Sequence, residues 1–158
     1  MSDKKQTKDA NSKKGDSSAQ SADKAKPVQV PDERREHWKD EPDPHDYPAA
    51  VDYLSLLMPL TEAQSIVDRL RSATLAHRKA KDLLRASRLE LLGPENEHVA
   101  KDLSKVKAGE KLSPVLLVRG RLNADVALTI ADGYHRVCAS HDLDEDADIP
   151  CHIVDLGI

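Results

Sequence analysis

Five consecutive residues, Asp132-Gly133-Tyr134-His135-Arg136, carry the densest chemistry in this chain. They follow the apolar run Leu128-Thr129-Ile130-Ala131 and precede Val137-Cys138-Ala139, so the pattern predicts a strand that turns at once into a helix. The first N–H groups of a helix have no partner inside it and point outward. The helix dipole adds partial positive charge at the same end. With Arg136 on the first turn, the junction reads as an anion pocket suited to phosphate.

Each residue of the run has a chemical role and a plainer alternative. Gly133 lets the backbone approach an anion closely, or simply makes the turn. Arg136 forks onto phosphate, or pairs with the acidic connection at 144–148. His135 is the catalytic candidate, able to donate to a phosphate or move a proton near neutral pH. Its alternative is a capping or partly buried histidine. Asp132 binds Mg²⁺ through oxygen, or caps the helix. Tyr134 completes the ligand-binding set together with Ser113, which precedes an apolar strand and otherwise serves a turn.

The elements that must position these residues are legible on either side. Pro114-Val115-Leu116-Leu117-Val118 is a continuous apolar run, as in a central strand buried on both faces. Val126, Leu128 and Ile130 predict a second strand, and Ile149-Pro150-Cys151-His152-Ile153-Val154 a third. Upstream, 48–58 reads as a helix stopped by Pro59. Thr61-Glu62-Ala63-Gln64 reads as a capping box opening a second helix with Ile66, Val67 and Leu70 on one face. The helical pattern resumes through Ala76, Ala80, Leu83 and Leu84, as one long helix or two broken near 72–75. A third helix, capped by Asn96 or Gly93, buries Val99, Leu103 and Val106 and closes at Gly109; Lys101, Asp102, Lys105 and Lys107 fall on its solvated side. The expected fold class is α+β, with N-terminal helices followed by a small mixed sheet.

Composition sets the frame. The chain has 158 residues and a formal net charge of −4, so bulk composition does not mark a basic nucleic-acid binder. Residues 1–30 are rich in Lys, Ser, Asp and Gln and read as a disordered tail. Residues 31–46 read as an acidic linker with Trp38 as an anchor, and 47–158 as the domain, its N-terminal helical part at 47–92. No apolar run spans a membrane and no secretory pattern opens the chain, so the expectation is a cytoplasmic protein without membrane contact. Cys138 and Cys151 read as core residues of a reduced protein, and no metal site is expected from His98 or His152. Arg69, Arg71, His77, Arg78, Lys79, Lys81, Arg85 and Arg88 form a basic run on helical sequence, either a DNA-backbone contact or a solvated face with acidic partners.

The order of elements completes a likeness. A strand led by Ser113-Pro114-Val115, a second strand, Asp132 to Arg136, a helix, and Ile149 to Val154 together resemble the ParB/sulfiredoxin superfamily over 91–154. In ParB-type domains this turn reads Gly-Glu-Arg-Arg and contacts a nucleotide's phosphates. In sulfiredoxins it reads Gly-Cys-His-Arg, and the cysteine performs redox repair with ATP. The resemblance implies a nucleotide or other phosphorylated ligand at Gly133–Arg136, with a nucleoside triphosphate and Mg²⁺ as the associated pair and NTP hydrolysis or phosphoryl transfer as the reaction. Tyr134 stands where sulfiredoxin has its cysteine, and a phenol cannot replace the thiolate. ParB partition proteins continue into a helix-turn-helix, which this chain is not expected to have. The alternatives are a ParB-like DNA-binding protein or nuclease using the basic face, and a non-catalytic interaction module.

Overall fold

The computed structural model describes residues 37–157; residues 1–36, which include the tail and the first six residues of the linker read above, and residue 158 lie outside the described residues. Ten elements follow one another: α1 (Asp46–Leu54), α2 (Leu60–Arg71), β1 (Ala76–Lys79), α3 (Ala80–Ser87), α4 (Glu97–Lys107), β2 (Val115–Val118), a 3₁₀ turn (Leu122–Ala124), β3 (Thr129–Asp132), α5 (Tyr134–Leu143) and β4 (Asp148–Val154). The fold class is α+β, as the sequence predicts.

The four strands form one mixed sheet in the order β1-β4-β2-β3. β2 runs parallel to β4, while β1 is antiparallel to β4 and β3 to β2. Every residue of β2 is buried. Its side chains alternate between two cores, which is why the run has no polar positions. Val115 and Leu117 join Leu83, Val99, Val137 and Ile149 under α3, α4 and α5. Leu116 and Val118 join Leu54, Ile66 and Leu70 under α1 and α2. Cys138 and Cys151 are fully buried in the first of these cores, the packing role expected of them.

Local signals decide most boundaries. Asn96 caps α4, its Oδ1 accepting from the His98 and Val99 amides at 2.9 and 3.2 Å. Gly109 follows at φ 82°, the left-handed geometry that ends helices. Three expectations are corrected. The helical part at 47–92 contains a strand: His77, Arg78 and Lys79 belong to β1, which pairs with β4 from Ala76↔Cys151 to Lys79↔Asp148. Thr61 is not a cap, because α2 already begins at Leu60 after Pro59, which makes no side-chain cap bond. Residues 37–46 are not a free linker. The Lys39 amide donates to the Leu112 carbonyl at 2.8 Å, Trp38 packs against the first core, and Asp46 opens α1.

Candidate functional site

The Asp132–Arg136 run lies where β3 hands over to α5, beside the start of β2. The β2–β3 register opens there: Leu116 opposes Asp132 but Leu117 opposes Ile130, so Ala131 is an extra residue on β3. Such a bulge bends the strand and re-aims the residues that follow. Gly133 is the N-cap of α5 at φ 113°, and no side chain caps the helix. A Cβ at Gly133 would stand 2.4 Å from Val115 Cγ1. Glycine is therefore required twice, for its backbone angle and for the closeness of β2.

Arg136 does not reach the acidic connection proposed as its alternative partner. That connection serves lysines of β1 and α3 instead: Lys79–Asp148 at 3.7 Å and Lys81–Asp146 at 2.6 Å. Arg136 Nη2 donates to Asp132 Oδ2 at 2.9 Å and to the Pro114 carbonyl at 3.4 Å, and lies 3.8 Å from Asp46 Oδ2. Asp46 is held in turn by the Ser113 hydroxyl, which donates to its Oδ2, and by the Asp43 amide at 3.2 Å. The same Ser113 oxygen accepts from the Asp43 amide at 2.9 Å. Asp132 thus neither caps α5 nor stands free as a metal ligand; it binds Arg136. Ser113 is buried and ties the segment before α1 to the start of β2. Burial pushes the Asp132 carboxyl above its ordinary range, Arg136 opposes that rise, and Asp46 adds to it.

On the solvent side of this cluster is a cleft of about 190 Å³ between α4 and the first turn of α5. Asp132, Gly133, Tyr134, His135 and Arg136 form one wall, and His98, Lys101, Asp102 and Lys105 the other. Neither Lys101 nor Lys105 has an ion-pair partner among the described residues. The His98 and His135 rings lie 4.7 Å apart, centroid to centroid. Burial holds the His135 imidazole below its usual proton affinity, the His98 ring adds to this, and Asp102 opposes it. The balance favours the neutral form of the His135 imidazole. Tyr134 is anchored by its hydroxyl, which donates to the Glu90 carbonyl.

The structure brings five of the six candidate residues to one cleft and sets Ser113 behind it. It also adds the α4 wall, which sequence reading left in solvent. Two signals in the sequence point to that wall. His98, Lys101 and Lys105 are spaced three and four residues apart, the spacing of one helix face. Asp102 stands between Val99 and Val106 at a position of the apolar stripe, and it is buried.

The basic run does not extend this cleft. Arg78, Arg85 and Arg88 border a different one, and Arg71 stacks over the Tyr47 ring at 4.3 Å. Asp43, His45 and Asp46 place possible ligand atoms within 4.8 Å of one another. Asp46 Oδ2 already accepts two hydrogen bonds and faces Arg136, so a cation there would stand beside a guanidinium. No helix among the described residues is long and apolar enough to cross a membrane. No protein-family model, curated protein or solved structure matches this chain.

Proposed function

We propose that this chain is a ParB/sulfiredoxin-like domain that holds the phosphate end of a nucleotide, or of another phosphorylated ligand, between α4 and α5. The observation that carries the reading is the pairing of an uncapped helix N-terminus with two lysines that have no ion-pair partner among the described residues, across one cleft. Helix amides and ammonium groups are the donors that phosphate oxygens accept. Sites that enclose a drug-sized ligand hold roughly 300–1,000 Å³. At about 190 Å³ this cleft suits a phosphate or diphosphate, with the rest of the ligand lying outside.

The roles follow from the contacts. Lys101 and Lys105 supply charge, the Tyr134 and His135 backbone amides supply directed donors, and Gly133 allows close approach. Arg136 positions the turn through Asp132 and Pro114. Phosphoryl transfer or NTP hydrolysis here would use neutral His135 as the general base. A Mg²⁺ arriving with a nucleoside triphosphate would find one lining carboxylate without a hydrogen bond or ion pair among the described residues, Asp102. Its chemistry would be neutralisation of the phosphate charge.

Thermal shift and titration calorimetry with inorganic phosphate, pyrophosphate, ADP and ATP, with and without Mg²⁺, test the reading. A ligand that binds only the native state raises apparent stability by mass action. Replacing Lys101 and Lys105 by Ala removes two charge-assisted contacts and is expected to weaken binding by about tenfold or more. Absence of stabilisation by all four compounds, or full affinity in the double variant, refutes it.

A further inference from the structure

A second cleft, of about 410 Å³, lies at the other end of β2, between α3 and the loop joining β2 to β3. It shares no residue with the phosphate cleft. Leu83, Leu128 and Ile153 give it an apolar lining, and these three side chains also pack on the core. Arg78, Arg85, Arg88 and Arg119 border it, against a single lining carboxylate, Asp82.

The arginines are arranged for carboxylates. Arg88 Nη2 meets Asp125 Oδ1 at 2.7 Å, Arg119 Nε meets Asp155 Oδ1 at 2.8 Å, and Arg85 Nη2 meets Asp82 Oδ1 at 3.4 Å. All three pairs are exposed, and exposed pairs are readily exchanged for an incoming carboxylate. Arg78 has no carboxylate partner among the described residues; its Nη1 donates only to the His77 carbonyl, at 3.0 Å. The walls are fixed. The Leu128 amide donates to the Ala86 carbonyl at 3.0 Å, binding loop to helix. A Cβ at Gly120 would stand 2.4 Å from the Val126 carbonyl oxygen, so the loop closes tightly there. Beside the cleft, Leu122 is 91% exposed, an apolar side chain left in water at the rim.

We propose that this cleft docks a short acidic peptide segment of a partner protein. Its carboxylates sit on the arginine rim, and one apolar side chain rests on Leu83, Leu128 and Ile153. Charge complementarity sets the sign of the partner: with Asp125 and Asp155 counted beside Asp82, four guanidiniums stand against three carboxylates, and Arg78 has none among the described residues. The apolar lining fixes its second property, because an anion without an apolar group leaves that surface in water. Nucleic acid fits less well. No aromatic side chain lines the cleft for a base to stack on.

Fluorescence anisotropy with a labelled Glu-Asp-Leu-Glu-Asp peptide and the full chain tests this. The wild type is expected to bind, more weakly as salt is added. The same peptide with Ser in place of Leu should bind about tenfold more weakly. The Arg78→Ser/Arg119→Ser variant should lose about tenfold or more in affinity. Its urea midpoint should stay unchanged, since both side chains are exposed. Three results overturn the proposal: no binding at about 1 mM peptide, equal binding of the Ser peptide, or full affinity in the double variant. A single-stranded oligonucleotide that binds more tightly than the peptide, and loses affinity in the same variant, overturns it in favour of a nucleic-acid site.

Discussion

Removing Arg136 is the most informative perturbation of the motif, because the structure gives it a cost that a ligand-only role would not. Its side chain is 16% exposed, Asp132 is 19% and Asp46 is 3%. Arg136→Ala leaves two carboxylates facing each other in a poorly solvated place. An exposed pair contributes about 0–1 kcal/mol, whereas breaking a buried pair by deleting one partner costs about 3–5 kcal/mol. The exposures put this cluster near the buried end, so a loss of about 3 kcal/mol is expected. For a domain of this size that lowers Tm on the order of 10 °C.

The pH dependence carries a sign. The folded Asp132 carboxyl lies above its ordinary range because of burial, with Arg136 pulling it down. Deleting Arg136 releases that pull and raises it further. A carboxyl raised in the fold favours folding while protonated, and that stability is lost as pH rises through the folded pKa. The variant should therefore approach wild type in acid and fall furthest behind at neutral pH. Adding Asp132→Asn should restore part of the loss by removing one of the two facing charges. Urea unfolding of wild type, single and double variants at both pH values is the assay. A loss below about 1 kcal/mol at neutral pH, together with a large loss of phosphate affinity, would mean that Arg136 serves the ligand and not the turn.

Gly133→Ala should destabilise the domain by at least about 1–3 kcal/mol, the range for a residue forced into a sparsely populated backbone region, because the new methyl also meets Val115; wild-type stability by urea unfolding would refute the geometry. Burial pushes the Cys151 thiol up to about 11, so it should resist a thiol reagent in the native state and react only on unfolding. Cys151→Ser should lower stability and leave phosphate affinity intact, and loss of binding with the fold preserved would revive a thiol role.

Much of the fold was legible because burial pattern and local signals agree. Val115 to Val118 read as a two-faced strand since no position in it can be polar. Asn96 read as a cap since its side chain satisfies two orphan amides. β1 was not legible. Ala76-His77-Arg78-Lys79 has three exposed polar residues and no apolar alternation. What makes it a strand is distant: the edge of β4, and the Ala80 amide donating to the Ala147 carbonyl at 2.9 Å. A short edge strand with charged side chains leaves little trace in local sequence.

The candidate site shows the same division between local and distant causes. Asp132-Gly133 announced a strand-to-helix turn, and Gly133 makes it at a φ of 113°, an angle that favours glycine. The fate of Arg136 was not announced. Sequence spacing offered it a phosphate or the acidic connection at 144–148, and both alternatives treat its charge as available. The fold instead brings Asp46 from the start of α1, through Ser113, to within 3.8 Å of a guanidinium already bound to Asp132. An arginine held by two carboxylates adds little net positive potential to the cleft. On the proposed reading, the attraction for an anion comes from the helix end and from Lys101 and Lys105 on α4. A run whose most obvious cation is committed to structure needs its charge from another element. A helix that lines the cleft with two lysines lacking an ion-pair partner among the described residues, opposite an uncapped N-terminus, is the physical reason to look for phosphate there.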